Sequence, residues 1–268
     1  MKDKVIIITG ASSGIGKALA YECGKRGGKL VLCARNEEKL NEAGEDLKKN
    51  NVDFILVKAD VSKESDCKTL IETTTGKYGR IDILINNAGI SMRALFEEVD
   101  LKVLQRLMDT NFWGTVYCSK YALPHLLKAK GSLVGISSIA GYKGLPGRTG
   151  YTASKAAMQG LLDVIRMENL KKGLHVLVAC PGFTASNIRN VALSKDGSSQ
   201  GETPLDEGKL MTAEVVASKI ADAIDKRKRT LLLTTQGKLT VLINKFFPSL
   251  MDKLVYNHMA KEPDSPFK

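Results

Sequence analysis

The chain has 268 residues, 43% of them hydrophobic, which is enough to build the core of one large α/β domain without a second. Its 40 Lys and Arg against 29 Asp and Glu give a formal charge of +11, but the basic residues are scattered in mixed-sign runs such as Asn36 to Asn50. That is the pattern of a solvated surface and argues against nucleic acid as a partner. The five cysteines (Cys23, Cys33, Cys67, Cys118 and Cys180) stand far apart with no Cys-x-x-Cys spacing, so free thiols in a reducing compartment are expected, and neither a metal site nor a disulfide frame. With no charged-then-apolar leader and no apolar run near the ~18 residues of a membrane span, the expected location is cytoplasmic.

Lys4 to Thr9 is a short run rich in Val and Ile, as in a strand buried on both faces. A glycine-rich turn follows, Thr9-Gly10-Ala11-Ser12-Ser13-Gly14-Ile15-Gly16, and opens into a helical pattern over Lys17 to Arg26. Glycines let the backbone approach a pyrophosphate, and a helix N-terminus offers N–H groups and a partial positive charge. The spacing is G-x-x-x-G-x-G, not the general G-x-G-x-x-G, and a tight turn without a ligand is the plainer alternative. Leu30 to Ala34 reads as the second strand, followed by Arg35 where an acidic side chain would hold the ribose 2′-hydroxyl of NAD. A guanidinium suits a 2′-phosphate, so NADP(H) is the expected cofactor; the alternative is an ordinary surface arginine.

Phe54 to Val57 forms a third strand leading into Ala59-Asp60-Val61, where Asp60 either caps the next helix or meets an adenine amino group. Ile81 to Ile85 is the fourth, closed by Asn86-Asn87-Ala88-Gly89, a turn that either sits beside a cofactor or merely ends the strand. A helical stretch from about Leu101 to Ala129 carries Asn111 in its interior, a local conflict that hints at a site. Gly131 to Ser137 is the fifth strand, with Ser138 at its end. Tyr151 and Lys155 then stand four apart on one helical face, where a positive charge is expected to lower the phenol from its usual ~10. Leu174 to Ala179 is the sixth strand, before Pro181-Gly182-Phe183-Thr184. Alternating strands and helices predict a doubly wound parallel sheet, with Thr9, Asn86 and Ser138 at the strand ends where ligands bind.

In their order and spacing, Thr9-Gly10-x-x-x-Gly14-x-Gly16, Asn86-Asn87-Ala88-Gly89, Ser138, Tyr151-x-x-x-Lys155 and Pro181-Gly182 make the chain resemble the short-chain dehydrogenases/reductases over almost its whole length. The resemblance implies a single Rossmann-type domain over 1–268, seven parallel strands with helices on both faces, and hydride transfer between a nicotinamide and a carbon bearing oxygen. It implies Tyr151 as general acid in carbonyl reduction and Ser138 as donor to the substrate oxygen. Lys155 would lower the Tyr151 pKa and hold the nicotinamide ribose, and Asn111 would seat a water that relays protons. Cofactor contacts are expected from Gly10, Ser12, Ser13, Gly14, Ile15, Gly16, Arg35, Asp60, Val61, Asn87, Ala88, Gly89, Tyr151, Lys155, Pro181, Gly182 and Thr184. Ser13 is not the extra basic residue of some NADP-preferring members, which leaves Arg35 to carry that preference. A homodimer or homotetramer is expected.

Residues 183–212 are expected to form a mobile lid over the substrate, with Val191, Ala192 and Leu193 as an apolar patch. Met92, Tyr142, Leu145, Pro146 and Phe183 either line an apolar pocket or are plain packing. Residues 238–259 carry a broad apolar face interrupted by Pro248, which covers the pocket, packs in an oligomer or, least favoured, rests on a membrane surface. This tail resembles that of reductases related to 11β-hydroxysteroid dehydrogenase, which implies a bulky apolar ketone or alcohol, steroid-like or lipid-like, as substrate. Glu262 to Lys268 is expected to be frayed. The competing functions are an NAD-linked alcohol dehydrogenase, which Arg35 opposes, and a non-catalytic cofactor sensor, which Tyr151 and Lys155 oppose.

Overall fold

The computed structural model describes residues 1–184, 188–201, 208, 210–262 and 265. Strands β1 (Val5–Thr9), β2 (Lys29–Ala34), β3 (Phe54–Lys58), β4 (Ile83–Asn86), β5 (Ser132–Ile136), β6 (His175–Cys180) and β7 (Thr230–Leu232) form one parallel sheet of order β3-β2-β1-β4-β5-β6-β7. Successive strand residues point to opposite faces, so the apolar runs feed two cores at once. Ile6, Ile8, Leu30 and Leu32 pack under α1 (Gly14–Lys25), α2 (Glu37–Lys49) and α7 (Ala213–Asp225). Ile7, Val31, Leu84 and Leu133 pack under α3 (Glu64–Tyr78), α5 (Gly114–Ala129) and α6 (Thr149–Glu168). Because β2 and β4 flank β1 on opposite sides, the crossovers diverge there and leave a crevice at the strands' C-terminal ends.

Two expectations about elements change. The seventh strand has only three residues, too few for a pattern, and exists by pairing with β6, Thr230 beside Val178. The stretch expected as one helix over Leu101 to Ala129 is α4 (Leu101–Leu107), a π-turn over Met108–Trp113, and α5. A π-turn inserts one residue into the helical register and is common at functional sites; here it carries Asn111.

Pro248 ends α8 (Thr235–Phe246) and opens α9 (Pro248–Met259) at its first position, where its fixed φ suits a helix start. Met251, Val255 and Met259 are buried against Leu145 and Ile243, whereas Leu242, Phe246, Phe247 and Leu250 on the outer surface are exposed. No helix among the described residues is long and apolar enough to cross a membrane. The expected fraying from Glu262 onward does not hold at its start, since Glu262 is buried and paired with Arg93 and Arg148; residues 263–264 and 266–268 lie outside the described residues.

Gly135 in β5 sets how closely α6 approaches the sheet: a Cβ there would fall 2.3 Å from Leu162 Cδ1 and 3.3 Å from Met158 Sδ. Gly135→Ala should destabilise the fold by about 1–3 kcal/mol through overpacking. Gly76→Ala in α3, where a Cβ meets nothing within 4 Å, should be neutral or stabilising by up to about 1 kcal/mol. Urea unfolding of the two variants checks this, and equal midpoints would contradict it.

Candidate active site

A cleft of about 900 Å³ opens at the C-terminal edge of the sheet. Its first wall is the glycine turn, where Gly10 and Gly14 adopt φ of +66° and +52°, values that only glycine reaches freely. Gly16 is required by packing, because a Cβ on it would lie 2.2 Å from the Gly10 carbonyl oxygen. The loop after β4 locks the turn in place. Asn87 Nδ2 donates to Thr9 O at 2.8 Å, and the Asn87 and Ala88 backbone N–H groups donate to Thr9 Oγ1 at 3.1 and 3.0 Å. Asn86 donates to Ser119 Oγ and so anchors the same loop to α5. Ser13 is the N-cap of α1 but makes no side-chain cap bond, and no acidic residue stands in the first turn. Among the described residues no side chain takes up the first-turn N–H groups, the donor set a pyrophosphate requires.

Arg35 lies exposed just beyond β2 and lines the cleft together with Lys39, in the first turn of α2. Lys39 is a second cation that the sequence reading did not name; its place in the first turn of the helix that follows Arg35 was the available signal. Glu37, in the first turn of α2, is held by Lys58 at 2.9 Å. Asp60 neither caps α3, whose N-cap is Lys63, nor lines the cleft. It is half-buried and accepts from Ser62 N and Ser62 Oγ at 3.1 and 2.8 Å, while Ala59 and Val61 beside it reach the cleft.

Tyr151, Lys155 and Ser138 all line the cleft. Lys155 is 3% exposed, and its Nζ donates to Ile136 O at 2.8 Å while standing 5.8 Å from the centre of the Tyr151 ring. Burial disfavours its charge and lowers its pKa to about 8. Gly89 allows the loop to cross over it, since a Cβ there would lie 3.3 Å from Nζ. The Tyr151 phenol is pushed above its ordinary value by burial, against a hydrogen bond from Ser138 and the positive charges of Arg148 and Arg189. The expected lowering of the phenol is therefore not what this cleft shows: burial outweighs the favourable contacts, and the Tyr151 pKa is raised.

Ser138 caps a 3₁₀ turn over Ile139–Gly141, its Oγ accepting from Ala140 N at 3.1 Å. Gln159 Nε2 braces this end of β5 through Ser137 Oγ at 2.9 Å and Ser138 O at 3.2 Å. Gln159 escaped the sequence reading, although it continues the Tyr151, Lys155 spacing by one more turn on the same face of α6. Asn111 is fully buried one layer behind the cleft. Its Oδ1 accepts from Ile90 N at 2.8 Å, and its Nδ2 donates to Ile90 O at 3.0 Å and Ser154 Oγ at 2.9 Å, so the π-turn ties the loop after β4 to α6.

At the far end of the cleft Leu145 and Phe183 line the wall, whereas Met92, Tyr142 and Pro146 do not, so the two alternatives divide among the five residues. Met92 is buried with Val103 and Leu107, its sulfur accepting from Gly150 N at 3.2 Å. Much of the wall comes from α8 and α9, including Leu239, Ile243, Met251, Val255 and Met259, with Arg148 and Glu262 as charged members. Of the expected lid, residues 185–187, 202–207 and 209 lie outside the described residues. Ala192 and Leu193 are buried, and Leu193 pairs with the loop after β4, its N–H donating to Ser91 O and its carbonyl accepting from Arg93 N, while Val191 lines the cleft.

The parallel sheet, the glycine turn at its switch point and the Tyr151, Lys155, Ser138 wall agree with the sequence comparison: residues 4–196 match the short chain dehydrogenase family, and the chain belongs to it. It is 40% identical to 11-beta-hydroxysteroid dehydrogenase A of Arachis hypogaea over 98% of this chain and 78% of that one. It is 34% identical to an uncharacterized oxidoreductase of Bacillus subtilis over 99% of this chain and 76% of the other. Among solved structures, a short chain dehydrogenase/reductase from Burkholderia phymatum in complex with NAD superposes with a TM-score of 0.82 at 24% identity, covering 93% of this chain and 95% of that one. An alcohol dehydrogenase from Thermococcus sibiricus complexed with 5-hydroxy-NADP gives 0.77 at 22%, covering 87% and 96%. At these identities the two structures support the fold alone.

The lowered Lys155 pKa has a consequence for stability. Between about 8 and the ~10.4 of an unfolded lysine, the unfolded chain holds the proton and the folded chain does not, so this group's contribution rises with pH. Below about 8 both states are charged and the burial penalty is at its fullest. The unfolding free energy of Lys155→Met minus that of the cofactor-free parent should therefore shrink as pH rises from roughly 8 to 10. Urea titrations across that range test it, and a pH-independent difference would contradict the burial of a charged ammonium.

Proposed function

We propose that this protein is an NADP(H)-dependent oxidoreductase that moves a hydride between the nicotinamide and a carbonyl or secondary alcohol of an apolar substrate. The observation that carries this reading is the placement of Tyr151, Ser138 and Lys155 on the wall of the same cleft as the glycine turn and the uncapped start of α1. The residues present fit the cofactor. The N-terminus of α1 would receive the pyrophosphate, Arg35 and Lys39 a 2′-phosphate, and Lys155 the nicotinamide ribose. The bound nicotinamide supplies the hydride.

The protein's own residues handle the oxygen. As negative charge gathers there, the Ser138 and Tyr151 hydroxyls donate to it, and donors already in place need no reorganisation. Burial keeps the Tyr151 phenol protonated at neutral pH, the form required of a general acid in carbonyl reduction. Asn111 acts as a positioning residue through Ile90 and Ser154, and a proton-relay water at this turn belongs to the same proposal. The apolar face of α8 and α9 and the segment 183–212 would shape and cover the substrate end. The exposed outer side chains Leu242, Phe246, Phe247 and Leu250 suit a second copy of the chain better than a membrane surface, in a homodimer or homotetramer within the cytoplasm; light scattering that returned only a 29.1 kDa monomer would remove that part.

Tyr151→Phe should keep NADPH affinity within about twofold and lose roughly 10²–10⁴ in turnover, the worth of a matched proton donor. Arg35→Asp should weaken NADPH by at least about tenfold while sparing NADH, since it replaces an attraction for the 2′-phosphate with a repulsion. Fluorescence titration of both cofactors beside steady-state rates checks the pair. Unchanged turnover in the first variant would sink the role given to Tyr151, and equal loss of both cofactors in the second would sink the NADP preference.

A further inference from the structure

Two arginines from separate loops, Arg93 after β4 and Arg148 before α6, converge on a single oxygen of the C-terminal tail, Glu262 Oε2, at 3.4 and 3.5 Å. The side chains are 11%, 13% and 6% exposed, so this is an interior cluster. Tight guanidinium–carboxylate bonds run at ~2.7–2.9 Å, so Glu262 engages Arg148 loosely and through one nitrogen, Nη2. A guanidinium has five N–H donors in a rigid fork, and Arg148 lines the cleft with most of its fork uncommitted to Glu262. Burial pushes this guanidinium below its ordinary value, and Glu262 opposes that push without cancelling it. A buried cation that its partner does not fully compensate is costly unless something else supplies the counter-charge.

The position of Arg148 says what that could be. It immediately precedes α6, three residues before Tyr151, and its charge acts on the phenol. The wall beyond it is apolar, built from Leu145, Ile243, Met251, Val255 and Met259. A ligand bound here would meet a cation close to the reacting carbon and hydrocarbon further out.

We propose that Arg148, supported by Arg93 and Glu262, receives an anionic oxyacid group of the substrate, a carboxylate or phosphate, so that the enzyme acts on amphiphilic carbonyl compounds with an apolar body. This rests on the oxidoreductase reading above and narrows its substrate class. Glu262 then tunes the site as a resident anion beside the incoming one.

The test is calorimetric binding of decanoate, decyl phosphate, decanol and decylamine to the NADP⁺ complex. At least one of the two anions should bind about tenfold or more tighter than decanol. Arg148→Met should abolish that preference while leaving decanol affinity in place, Arg148→Lys should keep part of it, and Glu262→Gln should strengthen the anion. These opposite signs separate charge recognition from mere pinning of the tail, which would weaken every probe alike. Equal binding of decanol, tighter binding of decylamine, binding of no probe at all, a preference that survives Arg148→Met, or its loss in Glu262→Gln would each overturn the proposal. NADP⁺ affinity, measured first, separates the two levels: failure to bind NADP⁺ defeats the oxidoreductase reading itself, whereas normal NADP⁺ binding with no anion preference defeats the anion site alone.

Discussion

The site depends on keeping one ammonium group inside the protein. Lys155 is held among β5, the loop after β4 and α6 with the Ile136 carbonyl as its hydrogen-bond partner. Such a group stays in place only if the surrounding backbone is fixed. Three contacts fix it: the close approach of α6 over Gly135, the crossing of Gly89 above Nζ, and the tie from Asn111 to both Ile90 and Ser154. The same arrangement sets Tyr151 one turn away on α6 and brings Ser138 against it. Stability and chemistry share these atoms: within the π-turn Thr110 lines the cleft, while Asn111 is buried behind it.

Most of the fold could be read from the chain because the five inner strands, β2, β1, β4, β5 and β6, are buried on both faces and so stand out as apolar runs, as in Val5 to Thr9. Six strands fall within two residues of their expected limits. The seventh was implied only by family resemblance, since a three-residue strand has no period of its own and forms through its partner. The π-turn was invisible for a related reason: its sequence is compatible with an ordinary helix, and only the bonds that Asn111 makes to distant segments reveal why the register shifts.

The site was legible wherever a local motif carries it. The glycine turn, Asn87 to Gly89, Ser138, Tyr151 and Lys155 all reach the cleft. Asp60 does not, because its carboxylate is taken up by Ser62, two residues on. The pKa of Tyr151 also departed from the expectation. Helical spacing correctly brings Lys155 near the ring, but spacing carries no information about burial, and burial dominates. The substrate end was the least legible. The sequence left Met92 and Tyr142 open between pocket and packing, and they pack into cores, while Arg148 and Glu262, 114 residues apart, meet through tertiary structure alone.

The central claim is that the cleft transfers a hydride directly to a carbon bearing oxygen. Its most direct test is isotopic: NADPH deuterated at the transferable C4 position, incubated with the enzyme and a panel of apolar ketones and aldehydes, followed by mass spectrometry of the products. The account predicts an alcohol carrying one deuterium on its carbinol carbon. Tight NADPH binding with no deuterium delivered to any member of the panel would contradict it and leave a cofactor-binding fold without the proposed chemistry.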